Sequence, residues 1–498
     1  MKQQFSRRFF LGLAAAGFLA PGAFAAPPNA SLRPVLRSGD LLRHRIPTAS
    51  ELIKASKLKG QVAFVVADAK TGTVLEQKAP KMGLMPASVT KAITALYALD
   101  TLGADHRFET QIVATGGIKE GEVQGDLILV GGGDPTLDTD ALAVMAGHLK
   151  DAGVRSVKGG FKVFEGDFPR VSRIDADQPD HVGYNPGVTG LALNFNRVYF
   201  EWKRGTRGYS VTMDGRSARY RPEVAMAVMQ VQDRADPVYT YRDDSKVDTW
   251  TVAKRALGQS GARWLPVRKP GLYAGDIFAT MAGANGIRLR NPQVIDALPA
   301  GAEVVVTQQS APLQGILRDM LKYSTNLTAE MTGLASTIAR GKRPRSLKES
   351  AAEMNQWAKD GLGMQNPALV DHSGLGAESR ISASDMLTAL VKVNTSDTLK
   401  PILKTIVLRD EKGRPVRDHP IKVDAKTGTL NFVSTLAGYM RGPSGREMAF
   451  VVFSADEARR AKLSRTQRER PDGGRAWNAR AKRLQQSLIE RWAAYYVS

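Results

Sequence analysis

Ser88 and Lys91 stand three residues apart in the run Pro86-Ala87-Ser88-Val89-Thr90-Lys91. On a helix that spacing puts both on one face, where a lysine amine reaches a serine hydroxyl. The chemistry on offer is nucleophilic attack by a hydroxyl with an amine as its base. Behind the pair, Ala92, Ile93, Ala95, Leu96, Leu99 and Leu102 recur at helical spacing, and Pro86 suits a first helical turn. The helix would bury its apolar face and keep Ser88 near its electropositive N-terminus. Ser-x-x-Lys alone arises often by chance and then reads as a solvated first turn. Two later pieces add to it: Ser324-Thr325-Asn326, which alone would cap a helix beginning near Leu327, and Lys426-Thr427-Gly428-Thr429, which alone would be a turn.

The elements that must position these residues come from a chain of 498 residues, material for two to four domains. Cysteine is absent, which excludes disulfides and thiolate metal sites. The six histidines, His44, His106, His148, His181, His372 and His419, include no ligand-spaced pair, so neither a metal nor another cofactor is expected. His372 beside Asp371 reads as a structural turn rather than part of a Ser-His-Asp set, since Lys91 already supplies a base. At the N-terminus, Ser6-Arg7-Arg8-Phe9-Phe10-Leu11 precedes an apolar run to about residue 20 and the small-x-small triplet Ala23-Phe24-Ala25. This is the pattern of a twin-arginine-type signal peptide over residues 1–25, with a Sec signal or an anchor as the alternative. Export to the periplasm follows from either signal.

Without Lys2, Arg7 and Arg8 the formal charge falls from +21 to +18. Such an excess favours an anionic polymer or lipid surface, so peripheral contact with membrane or wall is open. No nucleic-acid motif accompanies it, and no nucleic-acid partner is expected. The basic runs at 342–345 and 459–483 read as solvated loops and a helix face.

Residues 61–77 read as a hairpin whose turn holds Lys70-Thr71-Gly72-Thr73, a letter-for-letter copy of the later tetrad. Lying before the candidate nucleophile, between short β-runs, it is assigned no chemistry. From Phe108 to about Ala300, strand-like pieces alternate with glycine-rich turns and one helix near 138–152. Gly131-Gly132-Gly133-Asp134 reads as a turn, because no Gly-Lys-Ser/Thr follows. A last helix is expected near 474–494, with Trp477, Leu484, Leu488 and Trp492 at near-helical spacing.

The ordered set Ser-x-x-Lys, Ser-x-Asn, Lys-Thr-Gly resembles that of penicillin-binding proteins and serine β-lactamases. About 230 residues separate Lys91 from Ser324, and a large insertion there resembles the class C low-molecular-mass penicillin-binding proteins, D-alanyl-D-alanine carboxypeptidases of the penicillin-binding protein 4 type. Local matches agree, among them Gly133-Asp134-Pro135-Thr136-Leu137, Ser310-Ala311-Pro312-Leu313, Asn326 to Glu330, Asp371 to Leu375 and Leu436-Ala437-Gly438-Tyr439. The resemblance implies an α/β (α+β) fold: a β-lactamase/transpeptidase-like domain from residues 27–105 and 300–498, with an antiparallel sheet between helices. Nested within it would be two smaller β-rich domains, 106–175 with 263–299, and 176–262. It further implies a periplasmic serine D-Ala-D-Ala carboxypeptidase working through an acyl-enzyme on peptidoglycan muropeptides. Such an enzyme could also cut crosslinks as a D,D-endopeptidase and be inhibited covalently by β-lactams.

Beside that resemblance, a free lysine of pKa ~10.4 is neutral in only about one copy in 2,500 at pH 7. Lys91 therefore needs depression by burial and by a second cation, for which Lys426 is the candidate. Ser324 would relay a proton to the leaving amine, and Asn326 would hold the substrate and Lys91. Lys426 and Thr427 would take a terminal carboxylate, Gly428 would let substrate lie close along a strand, and the Ser88 and Thr429 N–H groups would form an oxyanion hole. Several positions depart from the family pattern: Tyr323, Thr325, His372, and Gly376-Ala377 where relatives often carry Ser-Arg. That arginine helps some relatives bind the side-chain carboxylate of a stem-peptide diamino acid. The alternatives are a β-lactamase or D-amino-acid amidase on the same core, and a non-catalytic wall-binding protein. Oligomeric state is not legible.

Overall fold

The computed structural model describes residues 46–396 and 398–496; the expected signal segment lies outside them, as does His44. In the strand Gln61–Asp68, Ala63, Val65 and Ala67 enter one apolar core while Val62, Phe64 and Val66 enter another. Successive side chains of a strand point to opposite faces, so this unbroken apolar run marks a sheet covered on both sides. The sheet is antiparallel and six-stranded, in the order Lys404–Thr405, Lys422–Leu430, Val433–Arg441, Glu447–Ala455, Gln61–Asp68, Val74–Lys78. It joins distant parts of the chain, with Val65 opposite Val451.

One face carries the helices Thr90–Leu102, Leu313–Tyr323, Leu347–Leu362 and Ala383–Asn394. The other is covered by Ala49–Ser56 and by Gly474–Tyr496, which buries Leu484, Leu488 and Trp492 against Phe64 and Phe450. The Trp492 indole N–H keeps a partner there, donating to Glu76 Oε2 at 3.0 Å.

Between these parts, Glu109–Ala114, Leu127–Val130, Phe161–Phe164, Gln293–Ile295 and Glu303–Gln309 form a five-stranded sheet packed on the helices Thr139–Asp151 and Pro270–Ala284. Two three-stranded sheets follow, Arg197–Gly205 with Gly208–Asp214 and Ser260–Pro266, and Val247–Ala253 with Ala227–Gln232 and Tyr239–Asp244. One apolar cluster runs through all of them, from Ile112 through Phe200 and Trp250 to Val306. The helix read near 138–152 starts at Thr139 because Asp138 caps it, accepting from Ala141 N at 2.8 Å. The early Lys70-Thr71-Gly72 copy is a hairpin turn: Asp68 Oδ1 accepts from Lys70 N and Thr71 N, and Gly72 takes φ +73°.

Candidate active site

The serine does not sit within the α-helix proper, as its spacing suggested. Ala87–Val89 is a single 3-10 turn, Ala87 stands at φ +46°, and the α-helix begins at Thr90. Lys91 lies in the first turn of that helix, directly after the serine's turn, and the pairing survives. Lys91 Nζ lies 3.0 Å from Ser88 Oγ, 2.8 Å from Asn326 Oδ1 and 2.7 Å from the Ser373 carbonyl. The lysine is fully buried, and burial pulls its pKa down to about 8 against the opposing charges of Glu330 and Asp371. Of the two expected causes, burial lowers Lys91 and the second cation does not. The coupling acts in the other direction, since burial first and then the Lys91 charge hold Lys426 well below its ordinary value.

The Ser324-Thr325-Asn326 segment links two helices. Ser324 ends Leu313–Tyr323 in the left-handed region, φ +60°, and Asn326 opens Asn326–Ala339. A non-glycine residue held there costs about 1–3 kcal/mol and marks a constrained site. Ser324 Oγ accepts from Lys426 Nζ at 3.1 Å, and that amine also donates to the Thr427 carbonyl at 2.8 Å. Asn326 spends its amide N–H on the Tyr184 carbonyl at 2.9 Å, which ties the inserted segment to the site.

On the strand Lys422–Leu430, Lys426 and Gly428 are buried while Thr427 and Thr429 are exposed, as period-2 alternation requires. A Cβ on Gly428 would fall 2.1 Å from Thr435 Oγ1, 2.8 Å from the Pro86 carbonyl oxygen and 2.9 Å from Ser88 N. Only glycine lets this strand pass so close to the turn that carries Ser88. Lys404–Thr405 pairs with Asp424 and Ala425, and among the described residues no strand continues along that edge past residue 425.

Three groups that sequence reasoning left without a role complete the arrangement: Glu330, Asp371 and the Ser373 carbonyl. Glu330 and Asp371 are buried carboxylates. Burial raises both, with the Asp371 charge adding to Glu330, which reaches about 8. The one available signal was the i, i+4 placement of Asn326 and Glu330 on a single helix face. His372 has no part in a triad. Burial drives its pKa to about 3, its Nε2 pairs with Ser350 Oγ at 2.8 Å, and its ring fills the space a Gly333 side chain would need.

Ser88, Ser324, Asn326 and Thr429 line a cleft of about 340 Å³, with Tyr184 and Arg460 in its wall. Arg460 is 3% exposed; its Nη1 donates to the Asn431 carbonyl at 3.2 Å, whereas its Nε and Nη2 have no partner among the described residues. Glu469 also lines the cleft, but His181 and Arg263 hold its two oxygens at 2.6 and 2.9 Å. A larger cavity, about 880 Å³, lies among residues 165–294, away from these groups. Its buried Glu165 is engaged by Arg170 and by the Gly271 N–H.

A serine hydrogen-bonded to a buried lysine, beside a second serine-lysine pair and an open strand edge, defines a serine-nucleophile hydrolase of the β-lactamase/transpeptidase-like class. The model of the D-Ala-D-Ala carboxypeptidase 3 (S13) family matches residues 48–473, and the chain belongs to that family. It is thus a peptidase of the penicillin-binding protein 4 type. A D-alanyl-D-alanine carboxypeptidase of Actinomadura sp. (strain R39) is 29% identical over 435 residues, 81% of this chain and 79% of the relative. The D-alanyl-D-alanine carboxypeptidase DacB of Haemophilus influenzae is 23% identical over 421 residues, 81% and 87% of the two chains. The crystal structure of penicillin binding protein 4 from Haemophilus influenzae superposes with a TM-score of 0.70 at 20% identity, covering 89% of this chain and 99% of that one. A further structure of that protein, complexed with a novel β-lactam, gives 0.67 at 23% identity over 82% and 93%. These two likenesses establish the fold.

Proposed function

We propose that this chain is a periplasmic D,D-carboxypeptidase that removes the terminal D-alanine of peptidoglycan stem peptides through an acyl-Ser88 intermediate, and that it also cuts D,D-crosslinks. One observation carries the reading: the three contacts of Lys91 Nζ. A neutral amine has two N–H bonds and one lone pair. With Asn326 Oδ1 and the Ser373 carbonyl taking both N–H bonds, the lone pair faces Ser88 Oγ and accepts its proton as the oxygen attacks the amide carbon. The oxyanion forms against the N–H groups of Ser88 and Thr429. Ser324, hydrogen-bonded to Lys426, passes a proton to the leaving amine, and water then releases the acyl group. The D-alanine carboxylate is held by Lys426 and Thr427, and the peptide pairs along the open strand edge. Arg460 lines the cleft wall as a cation, suits a carboxylate further along the stem peptide and replaces the arginine that Ala377 lacks.

Periplasmic placement rests on the twin-arginine-type pattern at residues 6–11. Among the described residues no helix is long and apolar enough to cross a membrane. β-Lactams would acylate Ser88 as cyclic amides and remain attached. The test is mass analysis of products from uncrosslinked and crosslinked muropeptides, with wild type and Ser88→Ala. Free D-alanine and split dimers are expected from wild type and neither from the variant. Release by the variant would remove Ser88 from its role, and no release by wild type would favour a wall-binding protein. Benzylpenicillin turned over within seconds, rather than a stable adduct, would favour a β-lactamase.

A further inference from the structure

Two buried carboxylates have no part in the reaction just described, yet both act on the loop that touches its base. Glu330 lies one helical turn after Asn326 on the helix Asn326–Ala339. Its Oε2 accepts from His372 N at 3.0 Å and its Oε1 from Ser373 N at 2.9 Å. Asp371 accepts from Gly374 N at 2.7 Å and Gly376 N at 2.6 Å. Thr94 Oγ1 donates to the His372 carbonyl at 2.6 Å. The peptide group joining Ser373 to Gly374 is therefore held at both ends, its N–H by Asp371 and its C=O by Lys91. Gly374, at φ +75°, packs so tightly that a Cβ would sit 1.9 Å from the Ala87 carbonyl oxygen. The loop bears directly on the nucleophile turn.

We propose that Glu330 and Asp371 are positioning residues for acylation: they fix the Ser373 carbonyl so that the Lys91 lone pair is aimed at Ser88. The inference rests on Lys91 as the base. Among the described residues Lys91 Nζ makes its hydrogen bonds to Ser88, Asn326 and Ser373 and none to a carboxylate, so the acids act on its charge through space and on its direction through the loop. The charged groups acting on the cluster are Lys91 from the nucleophile helix, Asp371 from the loop, and Asp175 from the inserted segment, which acts on Asp371. Beyond them lies Lys426, on which Lys91 itself acts. The His372 ring is turned to Ser350 and Met354. With the Glu330 anion gone, Lys91 loses a charge that favours its protonated form.

The test is the second-order rate of penicillin acylation of the full-length protein against pH, for wild type, Glu330→Gln and Glu330→Asp. A displaced base costs on the order of 10- to 100-fold. Glu330→Gln is expected to lose at least tenfold and to move the midpoint of the profile to lower pH. Glu330→Asp, keeping the charge on a shorter arm, is expected to be slower with the midpoint unmoved. A Glu330→Gln midpoint equal to wild type, or a rate within threefold, overturns the proposal. If Glu330→Gln does not fold, Thr94→Val, which releases the His372 carbonyl, must slow acylation threefold or more; an unchanged rate overturns the positioning role. A wild type that shows no rise in acylation with pH would instead remove Lys91 as base, a separate failure.

Discussion

Replacing Gly428 by alanine tests how closely the strand passes the Ser88 turn. The new Cβ would lie 2.9 Å from Ser88 N and 2.8 Å from the Pro86 oxygen, so strand and turn must part by roughly 0.5 Å to reach ordinary contact near ~3.4 Å. It would also lie 2.1 Å from Thr435 Oγ1, forcing that hydroxyl off the Pro86 carbonyl it meets at 2.7 Å. Losing that buried hydrogen bond costs about 1 kcal/mol. Overpacking adds about 1–3 kcal/mol, for a destabilisation of about 2–4 kcal/mol. The rate suffers separately, because Ser88 N is a proposed oxyanion donor and the misplacement of one such donor costs ~10²–10³-fold. Thermal melting and the rate of penicillin acylation measure the two effects. Adding Thr435→Ala removes the 2.1 Å collision but leaves those with Pro86 and Ser88, so stability should recover in part and the rate should not. Gly428→Ala acylating within threefold of wild type with unchanged melting refutes the reasoning. Full recovery of rate in the double variant would place the loss at Thr435 rather than at the turn.

Three further outcomes are expected. With the Lys91 pKa near 8, about one copy in eleven is neutral at pH 7, so acylation should rise about tenfold per pH unit below 8 and level off above; a profile flat from pH 6 upward contradicts this. Folded His372 takes a proton only near pH 3, against ~6.5 when unfolded, so its contribution is whole above ~6.5 and falls by ~1.4 kcal/mol per pH unit from there toward 3. The raised Glu330 carboxyl works with opposite sign between ~4.3 and about 8, so the informative quantity is the difference in urea stability between wild type and His372→Gln at pH 8, 6 and 5. That difference should narrow as pH falls, and a constant difference refutes it. Arg460→Gln should cut the preference for a stem peptide with a free side-chain carboxylate over its carboxamide by ~10-fold or more, because charge-assisted hydrogen bonds carry about 1.5–3 kcal/mol; equal hydrolysis of both peptides by wild type removes that role.

Much of the frame was legible because its signals are local. The helix read near 474–494 is Gly474–Tyr496, the duplicated Lys-Thr-Gly is the hairpin turn its flanking strands implied, and Ser324, Asn326 and Lys426 converge on Ser88 and Lys91. What escaped was non-local or carried by backbone. The Ser373 carbonyl has no side-chain signature, and nothing in the sequence sets it 2.7 Å from an amine 282 positions away. Glu330 reads as one acid in an otherwise uncharged helix until the fold buries it. Of the two causes expected for the Lys91 shift, burial acts and the Lys426 charge does not, and the extent of the burial was not legible. Charge can be counted in a sequence, whereas complete burial is a property of the packed helices. The 3-10 turn at Ala87–Val89 depends on an unusual φ at Ala87, which no propensity favours.

The central sheet sets the order in which the molecule can assemble. Gln61–Asp68 has Glu447–Ala455 as one of its two neighbours, nearly 380 residues later, so during synthesis it waits with one edge bare until almost the whole chain has emerged. Pairings of such long range are slow to form and leave strand edges open to wrong partners. The cluster from Ile112 to Val306 draws on nearer residues and can condense first. We therefore expect a chain stopped before residue 447 to keep a protease-resistant middle while its catalytic strands are digested; uniform digestion would show that the middle also depends on the finished sheet.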